Sequence, residues 1–216
     1  MERLKSILQF INEDDIVADI GCDHGYLLEL AIKNKNIKKC YAVDNKIGPL
    51  NSAKKNLEKY DNVSFVLSDG LIELDSDDIN CVVIAGMGGM LINKIFNDSK
   101  DKFKNIQKII VAPNKDVDKV RMNFTLNGFK ITEETICFEG DIYYEILVFE
   151  IGEQKLSEKE ILFGPELLKG NNQLFLDKLI NSYVSMLYSK SKREICKKIA
   201  EVIYDKCKWC FKIFRK

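Results

Sequence analysis

The chain has 216 residues, 46% of them hydrophobic, and its 33 basic residues balance 33 acidic ones. This length allows one domain of ordinary size with a smaller appendage. No apolar run approaches the roughly 20 residues that span a bilayer, and the opening segment lacks the small-residue cleavage site of a secretory signal. We therefore expect a cytoplasmic protein without a membrane segment.

The seven cysteines lie in mostly hydrophobic segments rather than in the dense framework of a secreted mini-protein, so we expect them to be reduced. Cys207 and Cys210 form a C-x-x-C pair, but no second pair follows. Because a structural zinc site needs four ligands at suitable spacing, we expect no metal.

The neutral total hides an uneven distribution of charge. Residues 167–216 contain 12 Lys and Arg and 4 Asp and Glu, a net charge of +8, which leaves 21 basic and 29 acidic residues, a net of −8, for residues 1–166. A basic tail of this kind is typical of a segment that binds a polyanion, although a solvated helix face has the same composition.

Five short apolar runs alternate with segments of helical periodicity in the first half of the chain. The runs are residues 16–20, 39–44, 63–67, 81–86 and 108–112, and the helical segments between them include residues 25–34 and 48–60. Continuous apolar strands separated by helices are typical of a parallel sheet that is covered on both faces. The pattern predicts a doubly wound α/β domain.

After a further helix at residues 117–129, two strand-like runs are joined by the turn sequence "EGD". Five parallel strands followed by an antiparallel pair are typical of the mostly parallel, seven-stranded sheet of Rossmann-like class I methyltransferases. Dinucleotide dehydrogenases usually have a sixth parallel strand instead.

The remaining sequence has helical periodicity only. One apolar face comprises Leu176, Leu179, Tyr183 and Met186, and a second comprises Ile195, Ile199, Val202, Trp209 and Ile213, with a polar turn at residues 189–193. We expect a methyltransferase-like domain at residues 1–154 and a small, coiled-coil-like helical hairpin at residues 155–216, in a monomer.

The sequence "DIGCDHGYL" follows the first strand and begins the next helix, which is the position of a nucleotide-binding loop. Gly21 and Gly25 allow a tight turn, and the start of the helix offers free amides. Asp23 would place a negative charge beside a pyrophosphate, so a cationic ligand without phosphate fits this loop better.

S-adenosylmethionine is such a ligand, since its sulfonium and ammonium are positive and its carboxylate can accept from the loop amides. Asp44 ends the second strand, where it can accept from the ribose hydroxyls. Asp69 follows the third strand, where it can accept from the adenine amine, and Gly70 leaves room for the ring. Each aspartate alone could be a turn residue, but three of them, Asp19, Asp44 and Asp69, at the ends of consecutive strands favour a cofactor site.

The sequence "AGMGG" closes the fourth strand, and its three glycines leave backbone carbonyls and the thioether of Met87 to line a flat slot. Asn114 follows the fifth strand and offers an amide to the same crevice, unless it caps the next helix.

These motifs, together with "GPL", "SDGL", "APN", "YYEIL" and "LFGPELL", resemble those of the bacterial tRNA (adenine-22-N1)-methyltransferases over nearly the whole chain. The resemblance implies a class I fold, S-adenosylmethionine as methyl donor and a helical C-terminal domain that helps to hold tRNA. It places the cofactor against Asp19, Gly21, Cys22, Gly25, Asp44, Asn45, Asp69, Gly70, Ala85, Gly86 and Met87. The groups expected beside the substrate and the reaction are Asp23, His24 and Asn114.

The chain departs from this family at two positions and in the length of its C-terminal region. The family usually has Gln where this chain has Ala112, and often Glu where it has Asp44. The shorter Asp44 can still reach a ribose, whereas the lost Gln amide argues against an essential role for that position. The C-terminal region is short for the family, which implies a smaller RNA surface.

N1 of adenine carries a lone pair, so its methylation needs alignment and acceptors near the developing positive charge rather than a strong base. Three other functions fit parts of the pattern. They are methylation of another RNA or of a small molecule, a nicotinamide-dependent oxidation that Asp23 disfavours, and RNA binding without turnover.

Overall fold

The computed structural model describes residues 1–74, 77–187 and 193–213. Its central feature is a seven-stranded sheet in the order β3-β2-β1-β4-β5-β7-β6. The strands are β1 (Ile16–Ile20), β2 (Lys39–Asp44), β3 (Val63–Leu67), β4 (Cys81–Ala85), β5 (Lys108–Ala112), β6 (Phe129–Glu139) and β7 (Ile142–Ile151). The first five strands are parallel, and β7 runs antiparallel to β5 and β6. This architecture confirms the predicted class I sheet.

The strands form where the sequence analysis predicts them, because each central strand is a short, mostly apolar run that is almost entirely buried. The fourth strand ends at Ala85, one residue earlier than predicted, because Gly86 turns the chain with a φ of +77°. All five parallel strands point their carboxyl ends at one edge of the sheet.

Ten helices accompany the sheet in the described part of the chain. They are α1 (Glu2–Leu8), α2 (Tyr26–Lys35), α3 (Ile47–Leu57), α4 (Gly89–Asp98), α5 (Lys100–Phe103), α6 (Val117–Leu126), α7 (Glu158–Phe163), α8 (Pro165–Lys169), α9 (Gln173–Leu187) and α10 (Arg193–Ile213). Two apolar clusters, one on each face of the sheet, pack α4 and α6 on one side and α1, α2 and α3 on the other. None of the described helices is long and apolar enough to cross a membrane.

The predicted turn "EGD" does join the antiparallel pair. Gly140 and Asp141 adopt φ values of +58° and +63°, which suits the tight turn of a hairpin. A register shift between Ile131 and Glu133 marks a bulge in β6.

The C-terminal helices form a third apolar cluster that includes Ile136 of β6. Its other buried members are Phe163, Leu167, Phe175, Leu179, Ile199 and Val202. The predicted apolar face of α9 was wrong by one residue at its start, where Phe175 rather than Leu176 is buried. The prediction that Ile195 belongs to the apolar face of α10 was also wrong, since this side chain is 37% exposed. Residues 189–192 of the predicted turn and the side chains of Cys207, Trp209, Cys210 and Ile213 lie outside the described part of the structure, and Arg193, the last residue of that predicted turn, begins α10.

Lys206 occupies a position of α10 where the apolar repeat predicts a hydrophobic residue. Its side chain is buried, donates to the carbonyl oxygens of Leu168 (3.2 Å) and Gly170, and lies 5.4 Å from the centroid of the Phe175 ring. The ammonium therefore satisfies carbonyl groups at the carboxyl end of α8 and at the residue that caps it, instead of facing solvent.

Candidate functional site

A cleft of about 540 Å³ lies at the carboxyl edge of the parallel strands. It opens beside β1, where the order of the strands reverses, which is the usual position of a ligand in a doubly wound sheet. Twelve of the predicted site residues line it. They are Asp19, Gly21, Cys22, Asp23, His24, Asp44, Asn45, Asp69, Gly70, Ala85, Gly86 and Met87.

Gly21 and Gly25 shape the loop after β1 in different ways. Both adopt a left-handed backbone, and a Cβ on Gly21 would overlap the methyl group of Met87 across the cleft. Gly25 does not line the cleft; a Cβ there would lie 2.7 Å from Cδ1 of Leu57, so its role is to let the loop pack on α3. The lack of a side chain at Gly25 is thus required for this packing, and its predicted contact with a cofactor stays a prediction.

The amides of this loop are largely occupied by other backbone groups. The Gly21 and Cys22 amides donate to the carbonyl oxygen of Val43 at 2.8 and 3.0 Å, and the Gly25 amide donates to that of Cys22 at 2.7 Å. These bonds hold the loop against the end of β2. These three amides are therefore not free to donate to a ligand carboxylate, as the sequence analysis expects of the loop amides.

Asp19 and Asp44 place two buried carboxylates at the ends of neighbouring strands. Burial, and then the charge of Asp44, raises the pKa of the Asp19 carboxyl from 3.8 to about 7. One oxygen of Asp44, Oδ1, accepts from the Lys46 amide at 2.9 Å. The Asp44 carboxylate is therefore held in place by the backbone, and its second oxygen has no protein donor among the described residues.

Asp69 is the third carboxylate of the cleft, and it is less buried than Asp19 and Asp44. Its side chain is 44% exposed and lies 3.5 Å from the ammonium of Lys94, which also pairs with Asp98. Gly70 packs against Ile95, a residue of α4 that lines the cleft with Leu91. The cleft therefore has an apolar wall beside Asp69, of a kind that suits a planar ring.

Cys22 lines the cleft and is largely buried, but its thiol is not suited to chemistry. Burial, together with the charges of Asp19 and Asp44, raises the pKa of the Cys22 thiol well above its ordinary value. A thiol without thiolate character is a poor nucleophile, so its contribution is shape.

Asp23 and His24 lie at the mouth of the cleft, and both are exposed. His24 Nε2 is 3.8 Å from Asp23 Oδ1, and the imidazole stacks on the ring of Tyr26 with the centroids 5.4 Å apart. The backbone oxygen of His24 accepts from Asn56 at 3.0 Å. The mouth therefore offers one carboxylate and a stacked pair of rings to an incoming molecule.

Asn114 does not line the cleft. Its Nδ2 donates to the carbonyl oxygen of Gly86 at 2.7 Å, and its Oδ1 accepts from Arg3 Nη1 at 3.2 Å. Asn114 therefore joins the end of β5 to the end of β4 and to α1. Gly88 and Gly89 also stay out of the cleft; Gly89 allows close approach to the backbone of Asp116.

Sequence reasoning missed the part of the cleft that α1 supplies. Arg3 and Leu4 line it, together with Ile20, Tyr26, Leu27, Lys46, Pro49, Ser68, Leu91 and Ile95. The signal for α1 was present, since Leu4, Ile7, Leu8 and Ile11 follow the i, i+3, i+4, i+7 spacing of an amphipathic helix. In the described part of the chain, no three His, Cys, Asp or Glu side chains are grouped to hold a metal ion.

The sheet and its cleft define a methyltransferase of the Rossmann-like class. The family model described as a methyltransferase domain matches residues 1–147. A crystal structure of the candidate tRNA (m1A22) methyltransferase of Streptococcus pneumoniae in complex with S-adenosyl-L-methionine superposes with a TM-score of 0.88 at 32% identity, covering 94% of this chain and 99% of that one.

Two further relatives narrow the assignment. The tRNA (adenine(22)-N(1))-methyltransferase of Bacillus subtilis is 32% identical over 82% of this chain and 78% of its own length. The M. capricolum TrmK structure in complex with S-adenosyl-homocysteine has a TM-score of 0.77 at 28% identity, covering 97% of this chain and 96% of that one. The chain belongs to the family of the tRNA (adenine-22-N1)-methyltransferases.

Proposed function

We propose that the chain transfers the methyl group of S-adenosylmethionine to N1 of adenine 22 in tRNA. The observation that carries this function is the placement of Asp19, Asp44 and Asp69 at the ends of three adjacent strands around one cleft, in a chain of this family.

The residues of the cleft fit the proposed cofactor by charge and by shape. We propose that Asp44 accepts from the ribose hydroxyls and that Asp69 accepts from the adenine amine, beside the apolar wall formed by Leu91 and Ile95. Asp19 offers a buried carboxylate to a cationic group, which is a favourable exchange because its own charge is poorly solvated. When bound, S-adenosylmethionine supplies the methyl group as an electrophile on a positively charged sulfur.

The methyl transfer needs no strong general base from the protein. The lone pair of adenine N1 forms the new bond to the methyl carbon, the carbon–sulfur bond breaks, and its electron pair stays on sulfur. Positive charge moves to the adenine ring, so acceptors and aromatic faces stabilise the product. Asp23 and His24 at the cleft mouth are proposed to contact the base, with Tyr26 behind His24 as a stacking surface.

Asn114 is proposed to act on the base indirectly, through residues that border the cleft. Its amide fixes the carbonyl of Gly86 and the guanidinium of Arg3, and both of these groups border the cleft. Its role in substrate contact is therefore to hold the wall in place.

We propose that residues 1–154 bind the cofactor and carry out catalysis, and that residues 155–216 bind tRNA. The support is the separate apolar cluster of the C-terminal helices and the positive charge of their sequence. We propose that a single chain carries both parts and acts as a monomer.

The direct test uses purified protein, labelled S-adenosylmethionine and an unmodified tRNA transcript that has adenine at position 22. We expect label in the transcript and a reverse-transcription stop at position 22, because a methyl group on N1 blocks base pairing. A transcript with guanine at position 22 is the matched control. Equal labelling of the control, or labelling of free adenosine at the same rate, would overturn the assignment of the substrate.

A further inference from the structure

Arg121 of α6 is completely buried and contacts three other elements of the chain. Its Nε donates to Glu134 Oε1 of β6 at 2.7 Å, its Nη1 donates to the carbonyl oxygen of Ile161 in α7 at 3.2 Å, and its Nη2 pairs with Glu145 of β7. All three nitrogens of the guanidinium have an acceptor, and the planar fork fixes the directions in which those acceptors lie. One arginine therefore joins α6 to the antiparallel strands and to the first helix of the C-terminal segment.

The second oxygen of Glu134 extends these contacts to α8. Glu134 Oε2 accepts from the amides of Glu166 and Leu167, at 2.9 and 3.4 Å, in the first turn of α8. Gly164 precedes α8 with a φ of +85°, and a Cβ there would lie 2.5 Å from Glu134 Oε2 and 2.7 Å from Arg121 Nη2. The glycine of the sequence "LFGPELL" is therefore required for the close approach of the backbone to these side chains.

Glu145 extends the same contacts to α9. Its Oε2 pairs with Arg121, and its Oε1 pairs with Lys178 of α9. The Glu145 side chain is 4% exposed and that of Lys178 is 28% exposed, so most of this pair is removed from water. About one turn further along α9, Asn181 Nδ2 donates to the hydroxyl of Tyr143 in β7 at 3.2 Å. Arg121, Glu134, Glu145 and Lys178 together form the Arg121 network.

The other end of α6 lies at the wall of the cleft. The Asn114 amide donates to the carbonyl oxygen of Met87 at 2.8 Å, and Met87 lines the cleft. The Gly89 amide donates to the carbonyl oxygen of Lys115 at 2.9 Å. Arg121 follows the start of α6 by about one helical turn. A single helix therefore runs from the wall of the cleft to the contact with the C-terminal helices.

The burial of these charges is not explained by stability alone. Apolar side chains of similar volume stabilise a buried position as well as ions do, because they carry no desolvation penalty. The C-terminal helices already have an apolar cluster of their own, which packs against Ile136 of β6. Apolar contacts are not directional, whereas hydrogen-bonded ion pairs have a preferred geometry. An ionic network at this junction therefore favours a role in fixing orientation.

We propose that the Arg121 network positions the helix pair α9 and α10 relative to the cleft, so that a tRNA held by these helices presents its target adenine to the cofactor. This inference rests on the proposed function, because it concerns how the substrate of that reaction is placed. Domains joined in one chain move relative to each other unless their interface prevents it. A misplacement of about 1 Å can lower a reaction rate by about a hundredfold, so helices that are free to tilt should present the base less often in a reactive position. The residues of the network are positioning residues, and none of them lines the cleft.

The test uses two variants that break the contact with α9 from opposite sides. Glu145→Gln removes a negative charge and Lys178→Met removes a positive one, so a simple effect of charge predicts a gain in tRNA binding for the first and a loss for the second. Loss of orientation predicts that both variants lose activity. We expect kcat/KM for an unmodified tRNA transcript to fall by about tenfold or more in both, under conditions where urea unfolding shows each variant to be folded. Kd for S-adenosylhomocysteine should change by less than about twofold, because the cofactor site is remote from the substituted residues.

Lys178→Arg and Lys169→Met are the matched controls. Arginine keeps the charge and the reach to Glu145, so Lys178→Arg should hold kcat/KM to within about threefold of the wild-type value. Lys169 lies in the same segment, is 70% exposed and pairs with Glu166 of its own helix. Lys169→Met therefore removes the same charge without loosening α9 and should lower kcat/KM by less than about threefold.

Three outcomes would overturn the proposal. The first is a loss of stability in Glu145→Gln and Lys178→Met with kcat/KM for tRNA unchanged, which would leave the network a structural role only. The second is a change of opposite sign in these two variants, and the third is an equal loss in Lys178→Met and Lys169→Met, since either would show an effect of charge. A wild-type chain that methylates no tRNA would contradict the proposed function and this inference with it, whereas a wild-type chain no faster than its two variants would contradict the positioning role alone.

Discussion

At the scale of single residues, the buried pair Asp19 and Asp44 decides how the cleft responds to pH. Two carboxylates at adjacent strand ends repel each other, and burial adds to the cost of charging Asp19. A pKa of about 7 means that Asp19 holds a proton in about half of the molecules near neutral pH. A cationic ligand beside it favours the ionised form, so binding should release a proton.

This linkage predicts that the affinity for S-adenosylhomocysteine rises with pH. Between pH 5.5 and 7 the protonated fraction of Asp19 must give up its proton on binding, so Kd should fall by up to about tenfold per pH unit and then level off. The amino group of the ligand stays protonated in this range, since α-amino groups titrate near 8. Calorimetry in two buffers of different ionisation enthalpy counts the protons released.

The variant Asp19→Asn separates this carboxyl from other sources of pH dependence. It should bind the ligand more weakly than the wild type at pH 7.5 and show a flat profile below pH 7, because Asn cannot ionise. A profile in the variant as steep as that of the wild type would assign the proton to another group.

The partial exposure of Asp69 sets the size of its contribution. An acceptor that is 44% exposed competes with water, so Asp69→Ala should weaken cofactor binding by about 1 kcal/mol, roughly fivefold in Kd. Asp98→Ala is the matched control, because Asp98 also pairs with Lys94 but does not line the cleft. Equal effects of the two substitutions would mean that Asp69 acts only through Lys94.

At the scale of elements, a buried ionic network ties the sheet to the C-terminal helices. Arg121 of α6 pairs with Glu134 of β6 (2.7 Å) and with Glu145 of β7, and Glu145 also pairs with Lys178 of α9. Burial by itself would raise the pKa of Glu145, but the charges of Arg121 and Lys178 outweigh it and hold the pKa below its ordinary value. The carboxylate is therefore ionised and shared between two elements.

Glu145→Gln should destabilise the chain more than a substitution elsewhere on the same strand. It leaves the buried Arg121 with one fewer counter-charge and Lys178 with none in this network, at a cost of about 3 kcal/mol in the free energy of unfolding. Urea unfolding measures this cost, and Glu150→Gln, at an exposed pair on β7, should cost less than about 0.5 kcal/mol. Similar values for the two variants would mean that the network contributes little.

How far sequence reasoning succeeds differs between the elements. The five parallel strands could be predicted because each is a short, mostly apolar run bounded by turn residues, and their carboxyl ends carry most of the cleft. The predicted apolar face of α9 was offset by one residue because Phe175 and Leu176 are both apolar. Packing against the neighbouring helices decides which of the two is buried. Lys206 interrupts the apolar repeat of α10 because its acceptors lie at the end of α8, in another segment of the chain.

At the scale of the whole molecule, the unpredicted part of the site arises from contacts between distant segments. Arg3 and Asn114 are 111 residues apart and meet only because α1 packs on β6 and β7, and β7 pairs with β5. A pattern within one segment cannot show such a pair. The same holds for the loop amides, whose acceptor, Val43, belongs to the next strand.

The charge of the C-terminal segment is also redistributed by folding. Sequence counting gives a net charge of +8, but Lys178 pairs with Glu145, Lys198 pairs with Glu158, and Lys206 is buried against carbonyl groups. The positive surface that remains for a polyanion is therefore smaller than the count suggests. Lys197 is exposed and forms no ion pair with the described residues, so its charge is available.

Reversal of this one charge tests whether the segment binds tRNA. Lys197→Glu should weaken tRNA binding and reduce the slope of log K against log salt concentration by about 1 or more, because a phosphate contact is lost. Cofactor affinity should not change. The matched control is Lys38→Glu, an exposed lysine before β2 at the sheet edge opposite the cleft. If both reversals reduced the salt dependence equally, the effect would come from net charge and not from a contact at α10; if neither did, the basic residues of α10 would form a solvated helix face.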